Sequence, residues 1–327
     1  MSPTSAAEDK SAYSICAYSF DTFIGLLGEW TDNSRLQLEW RPHAKYFEMY
    51  FDELQPQTML VEERYIDNDF LHDFAGYYAQ SFRTLSKECR RLHFFRDQFS
   101  EKEFDDLLMG RAADGQLSIE QLQRENNYLG FVIIKPLPET FIGRTCLLTY
   151  PETISGKENI LRQYPIVRDY DVSLFGIRLK VKTLAFQEQD RAVAACATSA
   201  LWSTFQGTGK LFQHSIPPPI EITRSATLGV SDYTRALPNE GLTLEQTAQG
   251  MRSVGLAPLW IDAREETNLY LLQSNLYAYT KGKLPVILIG EIYTVDDDKR
   301  MGLHAVAVTG YCYTEPTPKP SASAELL

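Results

Sequence analysis

The chain has 327 residues, 44% of them hydrophobic, and carries a net charge of −11 from 43 acidic and 32 basic side chains. That apolar share over this length fills a sizeable core, so a folded chain with room for two domains is expected. Lys and Arg are scattered among the acids and leave no basic face for a phosphate backbone, which argues against a nucleic-acid partner.

The opening stretch, MSPTSAAEDKSAYSICAYSF, has no basic region followed by a long apolar run, and LPVILIG and similar segments are too short to cross a bilayer. No membrane association is expected. Cys16, Cys89, Cys146, Cys196 and Cys312 are odd in number, widely spaced and without a CxxC pair. They fit a reducing compartment, here the cytoplasm, better than a disulfide framework or a zinc site, and no metal or cofactor is expected.

In chain order, TMLVEERYI reads as a strand. FLHDFAGYYAQSFRTLSKECRRL reads as one helix, because Phe70, Phe74, Tyr77, Tyr78 and Phe82 return at helical spacing. SEKEFDDLLMG is a short helix with Ser100 as cap and Glu103 in capping-box position. YLGFVIIKPLP and RTCLLTYPE are short strands that close an N-terminal α/β unit over residues 1–155. The polar segment PETISGKENILRQYP marks the boundary.

Residues 156–315 mix the two element types. DVSLFGIRLKVKTLAF reads as a strand, followed by a helix from about Ala192 to Phe205. A loop SIPPPIEI, a helix LTLEQTAQGMRSVG, a strand APLWIDA and a helix TNLYLLQSNLYAYTKG come next, then strands LPVILIGEIY and HAVAVTGYCY. This is an α+β pattern. Residues 316–327, rich in Ser, Pro and Ala, read as a flexible tail.

Cys196 is the first candidate for chemistry. A thiol in the first turn of a helix lies at the positive end of the helix dipole, which favours the nucleophilic thiolate; with Asp190 as cap it would lie deeper and gain less. A cysteine among Ala194, Ala195, Ala197 and Ala200 also reads as a close-packing residue. His304 opens the alternating run HAVAVTGY, a rigid place for a general base, and equally a place for a structural histidine. Gln187 and Gln189, just upstream of the thiol, are candidate side-chain donors to an oxyanion. His43, His72, His93 and His214 have no comparable setting, and FQGTGKL lacks the spacing of a phosphate loop.

Gln189, Cys196 with the helix through Trp202, and His304 in HAVAVTGY together resemble the core of the papain-like cysteine peptidases, nearest to those that process bacteriocin leaders. The resemblance spans about residues 180–312. It implies a papain-like thiol hydrolase domain behind a separate N-terminal α/β unit that selects a partner protein or shapes the cleft. It also implies Cys196 as nucleophile, His304 as general base and acid, Gln189 as oxyanion donor with Gln187 competing, and a peptide or protein substrate cut at a peptide or isopeptide bond.

The chain departs from that pattern at three places. Ala197 follows the cysteine, Asp190 stands where the family's Gln usually does, and no Asp or Asn follows His304 to orient its ring. Asp296, Asp297 and Asp298 could fold back toward the ring, or the orienting residue lies beyond this sequence. Two other readings stay open: a papain-like binding module without turnover, and a thiol acyltransferase or amidase.

Overall fold

The computed structural model describes residues 11–314 except 40, 82–83, 114, 155, 191–192, 194, 230–236, 238–240, 264–268 and 295–298. Asp296 to Asp298, Phe82, Ala194 and the tail expected over 316–327 therefore lie outside the described residues. The architecture is α+β, with helices packed around several small antiparallel sheets.

The first half runs β1 (Tyr13–Ala17), α1 (Phe20–Thr31), α2 (Arg35–Glu39), α3 (Pro42–Leu54), β2 (Thr58–Tyr65), α4 (Asn68–Gly76), β3 (Cys89–Phe95), α5 (Glu101–Leu108), α6 (Ile119–Gln123), β4 (Tyr128–Ile134) and β5 (Ile142–Leu147). The five strands pair antiparallel with their chain neighbours in the order β1-β2-β3-β4-β5. Alternation sends Leu92 and Phe94 to one face of β3 and His93 and Phe95 to the other. Both faces are covered. Phe23, Phe47 and Phe51 from α1 and α3 close one side over Phe94, Val132 and Leu147.

The expected helix over Phe70–Leu92 stops at Gly76, and its last residues are the start of β3. CRRLHFF is buried almost throughout, and a strand covered on both sides loses the alternation that separates it from a helix. α4 begins where Asp67 accepts a hydrogen bond from Phe70 N, 2.9 Å away, and α5 has the capping box expected from Ser100 and Glu103.

The second half runs β6 (Thr153–Ile154), β7 (Lys157–Gln163), β8 (Arg168–Leu174), β9 (Ile177–Thr183), α7 (Cys196–Phe212), α8 (Pro219–Thr227), α9 (Leu244–Ser253), α10 (Leu269–Lys281), β10 (Val286–Tyr293), β11 (Arg300–Val308) and β12 (Tyr311–Thr314). The single strand read in DVSLFGIRLKVKTLAF is the hairpin β8–β9. Phe175 and Gly176 have φ of +47° and +90°, the left-handed pair a tight two-residue hairpin turn requires. SIPPPIEI supplies the start of α8, with Pro219 in the first turn, where a missing N–H costs nothing. APLWIDA forms no strand. HAVAVTGYCY divides at Gly310: β11 pairs with β10, while β12 pairs with β7.

The second face of the five-stranded sheet is closed from this half. Val172, Leu179 and Val181 of the hairpin, and Leu201, Trp202 and Phe205 of α7, share one apolar cluster with Phe95, Phe131 and Cys146. Burying each such side chain is worth roughly 1.5–3 kcal/mol. One core thus takes side chains from both sides of residue 155. No helix among the described residues is long and apolar enough to cross a membrane.

Candidate functional site

Helix α7 carries the thiol, and its placement begins with α4. Asp69 accepts a hydrogen bond from Trp202 Nε1 at 3.0 Å and pairs with Arg144 at 3.0 Å. Burial pushes the Asp69 carboxyl above the ordinary carboxylate range, while Arg144 and the indole N–H pull it back. One turn along α4, Asp73 accepts from Ile220 N at 3.0 Å and so ties down the start of α8. α7 and α8 are pinned to α4 by two buried aspartates.

The approach to α7 is held by Asp190, which accepts from Val193 N at 2.6 Å and from the Tyr78 hydroxyl at 3.2 Å. Burial, then the nearby Asp190, pushes the Tyr78 hydroxyl far up, so it stays a donor. Asp190 therefore turns the chain ahead of the helix, and Ala195 is the N-cap, with no capping side chain. Cys196 is the first helical residue. Its backbone N–H is one of the first-turn donors that no helical carbonyl can satisfy, and its thiol lies at the positive end of the dipole.

Cys196 is half-buried and packs against a small cluster of Ala197, Ala200 and Ala305. Ala305 belongs to β11, so the residue beside His304 touches the helix that bears the thiol. Ile287 and Ile289 on β10 lie against the same cluster. Opposite His304 in the register is Gly290, and a Cβ built there would meet nothing within 4 Å, so the space at that position is open.

Residues 186–189 run in extended form beside β5: Phe186 and Thr145 exchange backbone hydrogen bonds of 2.8 and 3.1 Å, and Glu188 N donates to Ile142 O at 3.1 Å. Phe186 packs on Tyr46 and Glu188 approaches His43, both on α3. Alternation puts Gln187 and Gln189 on the other side. Gln189 reaches β11, where its Nε2 lies 3.3 Å from His304 Nε2. The Gln187 amide nitrogen is enclosed and has no hydrogen-bond partner among the described residues.

The structure thus brings Gln189 and His304 together and sets Cys196 against the neighbouring residue of the same strand. No hydrogen bond joins the Cys196 thiol to His304. The other histidines are engaged elsewhere: His43 with Glu188, His72 with Glu221, His214 with Thr208, and His93 between Glu62 and Tyr128. The cysteines are all free, and burial pushes both Cys89 and Cys146 up to about 12, which keeps those thiols protonated and inert. Among the described residues, no group of three or more His, Cys, Asp or Glu side chains is arranged to hold a metal ion.

Sequence reasoning missed the Asp69–Trp202 and Asp73–Ile220 links. Their only trace is three aspartates, Asp67, Asp69 and Asp73, on an otherwise aromatic helix pattern. No protein-family model, no curated protein and no solved structure matches this chain.

Proposed function

We propose that the chain is a papain-like thiol hydrolase acting on a peptide or isopeptide bond, with Cys196 as nucleophile and His304 as general base and acid. The supporting observation is Cys196 at the uncapped start of a buried helix, packed on the strand that presents His304. The five free cysteines suit a reducing compartment, here the cytoplasm.

In the first half-reaction His304 takes the thiol proton. The thiolate adds to the carbonyl carbon, and the carbonyl π pair moves onto oxygen, where the Cys196 N–H and a glutamine amide stabilise it. Collapse re-forms the carbonyl and breaks the C–N bond; the leaving nitrogen takes the proton from His304, and a thioester remains. Water then attacks the thioester while giving a proton to His304, and the thiolate departs with the C–S pair. In ligand-free sites such hydrogen bonds are often long and shorten when substrate binds.

A second reading, a papain-like binding module without turnover, is favoured by the missing hydrogen bond between Cys196 and His304. Iodoacetamide labelling below pH 7, followed by peptide mass spectrometry, separates the two. A hydrolase labels faster at half-buried Cys196 than at exposed Cys312 and loses that advantage in His304→Ala. Labelling slower than Cys312, and indifferent to His304, refutes the hydrolase.

A further inference from the structure

The family pattern gives the glutamine upstream of the cysteine to the oxyanion and assigns the imidazole to an Asp or Asn after the histidine. Here the upstream Gln189 lies against the ring itself. We propose, resting on the hydrolase reading, that Gln189 is the positioning residue for His304 and that the oxyanion amide is supplied by Gln187 instead.

Three observations carry this. Gln189 makes the hydrogen bond that fixes His304 Nε2, at 3.3 Å. With the amide nitrogen donating, the neutral ring holds its proton on Nδ1. A half-turn of the amide exchanges its nitrogen for its oxygen, which then accepts from Nε2–H and leaves Nδ1 as the base for the thiol. An amide can follow the ring through both protonation states, as an orienting Asn does.

The second observation is the anchoring of the segment. Phe186 is bridged to Thr145, and both the backbone and the side chain of Glu188 hold Ile142, so Gln189 projects from a fixed extended strand. The third concerns Gln187, on the same side of that strand two residues earlier. Its amide nitrogen is buried without a partner among the described residues, an arrangement that ordinarily costs stability. A donor left unpaired is one that a developing oxyanion can satisfy.

The test uses the whole chain and two probes: iodoacetamide, for the pH profile of Cys196 labelling, and p-nitrophenyl acetate, for single-turnover acylation. Gln189→Ala should remove the acid-side labelling of Cys196 to the same extent as His304→Ala. Gln189→Glu should restore it and extend the labelling plateau to higher pH, since a carboxylate stabilises the imidazolium. Gln187→Ala should leave the labelling profile unchanged and slow acylation by about 10²–10³-fold. If Gln189→Ala keeps the wild-type labelling profile while acylation falls, Gln189 is the oxyanion donor and the assignment is overturned. If His304→Ala itself leaves the profile unchanged, the hydrolase reading falls and takes this assignment with it. Gln189 is exposed, so its variants are expected to fold, and Gln189→Glu provides a second reading if the alanine variant does not.

Discussion

The link between Asp69 and Trp202 lends itself to a double-mutant cycle. Trp202 Nε1 is 3.0 Å from Asp69 Oδ2, and the same carboxylate oxygen takes Arg144 at 3.0 Å. Trp202→Phe removes the donor and also shrinks a fully buried ring, so it should cost the roughly 1.5–3 kcal/mol of a hydrogen bond to a charged group plus a cavity term. Asp69→Ala removes both partners. It leaves the Trp202 N–H buried without Asp69 and leaves Arg144, among the described residues, with only Asp67 at 3.5 Å. A broken buried pair costs about 3–5 kcal/mol, and the lower end applies because the Arg144 side chain keeps 27% of its surface in water. The two losses share one bond, so the double variant should fall short of their sum by about 1–2 kcal/mol. Urea unfolding followed by far-UV circular dichroism measures all four corners. Additivity within about 0.3 kcal/mol would refute the claim that α4 pins α7 through this contact.

Two other expectations follow from buried groups. His93 is completely buried, with its ring between the Glu62 carboxylate at 3.0 Å and the Tyr128 hydroxyl at 2.8 Å, and burial lowers it from 6.5 to about 4 despite the Glu62 bond. The unfolded chain binds that proton below pH 6.5 and the folded chain does not until about 4, so this group removes about 3 kcal/mol of stability as pH falls through that window. His93→Gln should flatten the wild-type slope of unfolding free energy between those limits; an unchanged slope would show that His93 is not its source. Gly130, at φ +112°, sits where a Cβ would lie 1.9 Å from the Cys146 carbonyl oxygen. Gly130→Ala should cost about 4 kcal/mol or more, and Gly176→Ala, in an open turn, only about 1–2 kcal/mol. Equal shifts in the denaturation midpoint would contradict this.

What the sequence disclosed and what it hid divide along a physical line. Local signals were legible: the Ser100 capping box and the strand TMLVEERYI each depend on a few adjacent residues. The start of α7 stayed open between Cys196 in the first turn and Cys196 deeper behind Asp190 as cap; Ala195 is the N-cap, and Asp190 bonds instead to Val193 and Tyr78. The misread helix over Phe70–Leu92 and the missed turn at Phe175–Gly176 have tertiary causes: β3 is covered on both faces, and a left-handed Phe is unusual. Cys196, His304 and Gln189 were legible as residue types. That Gln189 meets the imidazole was not, since that contact joins positions 115 residues apart.

The shared core has a consequence for how the molecule can be taken apart. Phe95, Phe131, Ile133 and Cys146 on the sheet are covered by the β8–β9 hairpin and α7, which follow them in the chain. A fragment ending near residue 155 would present that face bare to solvent, and a fragment beginning there would leave Trp202 and Phe205 without the surface they rest on. Neither piece is a natural unit for expression, so the thiol cannot be studied by trimming away the first half. The N-terminal sheet is the floor on which the helix that begins at Cys196 stands.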